Sequence, residues 1–222
     1  MNVEEQEQQG LPFAKLGEAK PTKPVPEVYF SYAWGKESDR HQKVCDELYN
    51  YAKSFAKPVR DRNATNTGDS IRAFEQEIGQ AKLVVVILSD KYLKSEHCMR
   101  ELNYLYQSSL NNNQLFNKRI CPFILPNDLN DPNDQGIQID TIMDRLNYTK
   151  YWKSLFTKLS NTIEELGAEV AGREAVSYQQ ELRTFMNNTN DMLTWLSDQI
   201  VTRDPRNYEE TLKDLINRKS NI

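Results

Sequence analysis

The stretch from Leu83 to Leu88, LVVVIL, is an unbroken apolar run that ends abruptly at Ser89 and Asp90. It is far too short to cross a membrane and is rich in β-branched residues, so it reads as a strand buried on both faces. After a short polar turn a new helix starts near Ser95 and carries Glu101. Open α/β sheets place their ligands beyond the carboxyl ends of buried parallel strands. A carboxylate on the first turns of the next helix is therefore well placed to face such a crevice.

The flanking chain builds a sheet around this strand. Val28 to Ala33, VYFSYA, reads as a first strand, followed by a loop at Trp34 and Gly35 and a helix from Asp39 to Ala52. Val44, Leu48 and Tyr51 recur on one face of that helix. Pro58 to Arg62 reads as a short, polar, edge-type strand. Turn chemistry at Asn66 and Gly68 follows, then a helix capped by Asp69 or Ser70, with Ile71, Phe74 and Ile78 on one face. The helix from Glu96 to Ser108 has Ser95 as N-cap, and Arg119 to Leu125, RICPFIL, is another buried strand closed by Pro126. Tyr148 to Trp152 reads as a fifth, short strand. Connections of roughly 20 to 30 residues between strands fit right-handed crossovers and a parallel sheet. The expected fold is α/β and flavodoxin-like, with five parallel strands in the order 2-1-3-4-5 flanked by helices.

Beyond Trp152 the pattern becomes helical. Lys153 to Leu166, Ser177 to Val201 and Tyr208 to Asn217 are amphipathic, separated by GAEVAGREA and by Asp204 and Pro205. Upstream, Gly10, Pro12, Gly17, Pro21, Pro24 and Pro26 punctuate an extended arm. The expected division is an arm over 1–26, an α/β domain over 27–166 and a helical extension over 167–222 that packs on that domain or on a partner.

Composition removes several function classes. A net charge of -4 over 222 residues argues against direct nucleic-acid binding, which wants a basic face. The N-terminus MNVEEQEQQG is acidic and lacks the apolar core of a signal peptide, and no span is long enough for a membrane. Three widely spaced cysteines, without CxxC, fit a reducing cytoplasm. With two histidines, His41 and His97, no metal site is expected. The first strand supplies no acidic cluster for a receiver domain, and neither GxxxxGK[ST] nor GxGxxG occurs.

Three ordered boxes resemble those of TIR (Toll/interleukin-1 receptor) domains of the prokaryotic immune type. VYFSYAWG at 28–35 resembles the first-strand box, and VRDRNATNTGDSI at 59–71 resembles the second strand with its BB loop. LVVVILSDKYLKSEHCMREL at 83–102 resembles the third strand and the helix after it. There the family pattern S-x-x-Y-x-x-S-x-W-C-x-x-E-L is met by Ser89, Tyr92, Ser95, Cys98, Glu101 and Leu102, with His97 where many relatives have tryptophan. The likeness covers about residues 26 to 165.

The resemblance implies a TIR fold and cleavage of the nicotinamide–ribose bond of NAD+, with Glu101 catalytic. The products are nicotinamide and ADP-ribose or a cyclic isomer, in antiviral defence or immune signalling. The chemistry is self-consistent: nicotinamide leaves as a neutral base from a cationic precursor, so one carboxylate that stabilises the oxocarbenium-like ribosyl centre suffices. NAD+ is substrate, and no resident cofactor is expected. Ser31, Tyr32, Ala33 and Trp34 are expected to line the crevice, with Tyr32 or Trp34 stacked on nicotinamide. Gly68 and Asp69 would form a side wall, Ser89 would bond a ribose hydroxyl, and Tyr92 and His97 complete the substrate-binding set. Each has a plainer reading: Tyr32 as core, Gly68 and Asp69 as turn and cap, Ser89 as turn cap, and Cys98 as a small core residue. Self-association is expected through the BB loop, Asn63 to Ser70, and the surface of the Glu101 helix, with a sensor or effector protein as further partner. The competing function is a non-catalytic TIR scaffold that acts through self-association alone.

Overall fold

The computed structural model describes residues 25–36, 39–60, 71–110, 112–199 and 203–220. The expected arm up to residue 24 and the BB loop Asn63 to Ser70, with Gly68 and Asp69, lie outside the described residues. The elements in chain order are β1 (Glu27–Tyr32), α1 (Arg40–Ala52), β2 (Lys57–Val59), α2 (Ile71–Gln80), β3 (Val84–Leu88), α3 (Asp90–Leu93) and α4 (Glu96–Gln107). Then come α5 (Asn113–Arg119), β4 (Ile120–Ile124), α6 (Ile142–Leu166), α7 (Ala168–Ser197) and α8 (Tyr208–Lys219).

The described strands form one parallel sheet in the order β2-β1-β3-β4. β3 sits inside it and is buried along its whole length, as its apolar run requires. Its alternation splits the core in two. Val84, Val86 and Leu88 join a cluster with α2, α4, α6 and α7, while Val85 and Ile87 join a cluster with α1 and α8.

The expected fifth strand is corrected: Tyr148 to Trp152 lies inside α6. Two causes act. A capping box starts the helix, Thr141 Oγ1 accepting from Asp144 N at 3.2 Å and Asp144 Oδ2 from Thr141 N at 3.0 Å. Helical spacing also turns Tyr148 and Trp152 to the same face, where the Trp152 indole donates to Leu93 O at 3.1 Å and its ring lies 5.0 Å from that of Phe185. A strand would send Trp152 and Tyr151 to opposite faces. The break expected at GAEVAGREA is real but narrower. Gly167 (φ 78°) separates α6 from α7, and Gly172 (φ 83°) kinks α7, both in the left-handed region open to glycine. The short helix α5, capped by Asn112 on Leu115 N at 3.0 Å, was not anticipated.

Among the described residues the outer edge of β4 is closed without another strand. Leu125 N donates to Leu88 O at 2.9 Å, so alternation turns the backbone groups of Ile120, Pro122 and Ile124 outward. Pro122 has no N–H to offer there. The Tyr208 hydroxyl donates to Ile124 O at 2.5 Å, and Lys219 Nζ donates to Ile120 O. Helix α8 thus supplies side-chain donors where a fifth strand would supply amides. Tyr208→Phe is expected to leave a buried carbonyl unpaired and to cost about 1–3 kcal/mol in urea unfolding. An unchanged midpoint would mean that water reaches this edge.

Candidate active site

Glu101 lies one turn and a half into α4, whose start is set by Ser95 Oγ accepting from Cys98 N at 3.5 Å. Cys98, Met99, Leu102 and Leu105 seat the helix on the sheet, which turns Glu101 toward β1. Glu101 is 6% exposed. Ser31 Oγ, on β1 opposite Val86 of β3, donates to Glu101 Oε2 at 2.5 Å. That bond takes the one proton Ser31 carries, so the Tyr92 hydroxyl, 2.8 Å away, donates to Ser31 Oγ. Tyr92 is fully buried. Burial first, then the neighbouring Cys98 and Glu101, push its hydroxyl well above the ordinary tyrosine range, so it stays protonated and a donor. Ser89 caps α3 by accepting from Tyr92 N at 3.1 Å, the turn-capping role read from sequence, and so fixes where Tyr92 stands.

Three of the expected site residues, Ser31, Tyr92 and Glu101, therefore meet. Ala33 packs on the same side of the sheet. The Tyr32 side chain faces the other side of the sheet from Ser31. Successive residues of a strand face opposite ways, and Tyr32 enters the α1 cluster. Its hydroxyl accepts from Arg60 Nη1 at 3.0 Å and from Gln42 Nε2 at 3.4 Å, and burial raises its pKa. Arg60 also pairs with Asp46 and lies 4.2 Å from the centroid of the Tyr49 ring. Tyr32 is thus fixed in place on the far side of the sheet from Glu101. Trp34, 40% exposed, is held by its carbonyl, which accepts from Lys91 Nζ. His97 is exposed and its Nδ1 lies 2.7 Å from Glu75 Oε1, away from the Glu101 carboxylate's partners.

Two cavities lie near the carboxyl ends of the strands. One, of about 260 Å3, is lined by Tyr32, Ala33 and Ser89 together with His41 and Lys91. The other, of about 530 Å3, lies between the loop 126–135 and residues 203–207. Glu101 lines neither. His41 joins the first cavity and its Nε2 donates to Pro126 O at 2.6 Å.

Sequence reasoning missed a charged cluster on the other side of α4. Glu75 of α2 is 0% exposed and accepts from Arg100 Nη1 through both oxygens, at 2.8 and 3.0 Å. Arg100 also pairs through Nε and Nη2 with Glu181 of α7. A signal was present: Glu75 stands three residues before Ile78, on the apolar face of its helix. The same face of α4 meets α7 through Asn188 Nδ2, which donates to Asn103 Oδ1 at 2.7 Å, and through Tyr178, which donates to Glu96. Part of the helix surface expected to bind a second copy is therefore covered by the chain's own α7. No described helix is long and apolar enough to cross a membrane, and no group of three or more metal-ligating His, Cys, Asp or Glu side chains occurs among the described residues.

A family model described as TIR domain matches residues 28–166. A solved structure of the TIR domains of the activated Roq1 resistosome, which directly recognises the pathogen effector XopQ, superposes with a TM-score of 0.50 at 16% identity. The superposition covers 87% of this chain and 99% of that one, and it speaks to the fold. No curated protein matches. The family match spans well over half of the chain, and the chain belongs to the TIR-domain family.

Proposed function

We propose that this TIR-domain chain is an NAD+ glycohydrolase in which Glu101 is the catalytic carboxylate. The observation that carries the reading is the Glu101 carboxylate on α4, the second helix after the inner strand β3, held at 2.5 Å by Ser31 Oγ. A carboxylate withdrawn from water interacts more strongly with a cationic ribosyl centre than an exposed one. The reaction breaks the bond from ribose C1′ to the nicotinamide nitrogen. The electron pair leaves with nicotinamide, and water adds at C1′ and loses a proton, giving ADP-ribose. If a nitrogen of the adenine ring adds in place of water, the product is a cyclic isomer. NAD+ is the substrate and no resident cofactor is required.

The reading includes self-association, with the loop Asn63 to Ser70 completing the pocket, and a role in immune signalling. The test is NAD+ turnover by the purified full chain at high protein concentration, with products separated. Nicotinamide release is expected. An assembled chain that leaves NAD+ intact refutes the enzyme.

One observation favours a second reading, a scaffold without chemistry: Glu101 is 6% exposed and already bonded to Ser31. On that reading the glutamate is a polar element of the core. Its replacement would then alter stability and partner binding, and wild type would release no nicotinamide.

A further inference from the structure

We propose that Ser31 and Tyr92 are positioning residues for Glu101, a two-hydroxyl relay that orients one carboxylate oxygen, and that neither contacts substrate. The catalytic consequence rests on the glycohydrolase reading, while the relay itself does not. Tyr92 is 0% and Ser31 1% exposed, so a ligand arriving at the sheet edge meets neither. Both hydroxyl protons of the relay have an acceptor. Tyr92 donates to Ser31 Oγ, and Ser31 donates to Glu101 Oε2. The far end is tied down as well, because Tyr92 N donates to Ser89 Oγ at 3.1 Å.

Three elements meet at this point. β1 brings Ser31, α3 brings Tyr92 and α4 brings Glu101. The relay gives the four-residue α3 a purpose, since it places one fully buried hydroxyl behind the strand. A hydrogen bond to Oε2 restricts the rotation of the carboxylate and so helps fix its orientation. Reaction rates respond steeply to such placement. Donors to Oε2 also favour the ionised carboxylate, the form that stabilises a cationic centre.

A purely structural polar plug would hold the core together without setting the state of Glu101, so the test reads that state directly. In full chain carrying 13C-labelled glutamate carboxyls, the Glu101 titration is followed by NMR in wild type, Ser31→Ala, Ser31→Thr and Tyr92→Phe. Loss of the donor in Ser31→Ala is expected to move the Glu101 midpoint up by about one pH unit. Ser31→Thr, which keeps the hydroxyl, returns the midpoint toward wild type, and Tyr92→Phe moves it in the same direction as alanine but less. An unchanged midpoint in folded Ser31→Ala and Tyr92→Phe chains overturns the relay.

Turnover separates the roles further. Positioning predicts a kcat lowered by up to about 100-fold, with the acid limb of the rate profile moved to higher pH and KM within about twofold. A raised KM with unchanged kcat would make Ser31 a substrate contact and overturn the proposal. A wild type silent toward NAD+ would sink the glycohydrolase reading alone, and the NMR titration would still decide the relay.

Discussion

Arg100→Met is expected to lower the unfolding free energy by about 3–5 kcal/mol, the cost of leaving a buried charge without its partner. The charge left behind is Glu75, 0% exposed, whose two oxygens both accept from Arg100 Nη1. His97 cannot replace the arginine, since it reaches only Oε1, at 2.7 Å, from an exposed position. Arg100→Lys should behave more like methionine than like wild type, because one ammonium cannot serve Glu75 and Glu181 in the planar fork that Arg100 uses. Glu181 retains partial access to water, so Glu181→Gln should cost about 1 kcal/mol or less. The double variant Glu75→Gln, Arg100→Met removes the stranded charge and should recover part of the loss. Urea unfolding of the four variants checks the series. A methionine variant as stable as wild type would mean that Glu75 is reached by water once the arginine is gone. The clamp matters beyond stability because it joins α2, α4 and α7 at the residue preceding Glu101.

Glu101→Gln should lower kcat for NAD+ cleavage by about 1000-fold or more while leaving the fold in place, the size of effect seen when one preorganised group facing a developing charge is removed. Glutamine fills the same volume and its amide oxygen still accepts from Ser31, so packing at the relay survives. What it lacks is the negative charge. The loss should fall on kcat with little change in KM, because the charge is needed at the ribosyl transition state and not for holding NAD+. Near-UV circular dichroism should superpose on wild type. A glutamine variant that unfolds would place Glu101 among the structural core residues.

Local chemistry made much of this fold legible in the sequence. The run Leu83 to Leu88 marked the inner strand, and Ser95 and Asp39 marked helix starts, because burial on both faces and capping are written within a few residues. Asp39 accepts from His41 N at 2.9 Å, as a cap should. The segment Tyr148 to Trp152 was misread because its aromatics suit a strand as well as a helix, and the deciding contacts, Leu93 and Phe185, are distant in sequence. The strand count followed from the same remoteness, since Tyr208 and Lys219 close the β4 edge from the far end of the chain.

The site was legible in part. The box from Ser89 to Leu102 singled out Glu101, Tyr92 and Ser89, but the box does not say that Ser89 serves as a cap or that Tyr92 serves Ser31. Period two alone could have separated Ser31 from Tyr32. Nothing local pairs Arg100 with Glu75 and Glu181, which lie 25 and 81 residues away.

The most direct measurement is nicotinamide released from NAD+ by wild type and by Glu101→Gln, at matched protein concentration and matched assembly state. Wild type should release nicotinamide with an equal amount of ADP-ribose or its cyclic isomer, and the glutamine variant should release almost none. Equal release by both proteins, or none by either, would contradict a catalytic Glu101.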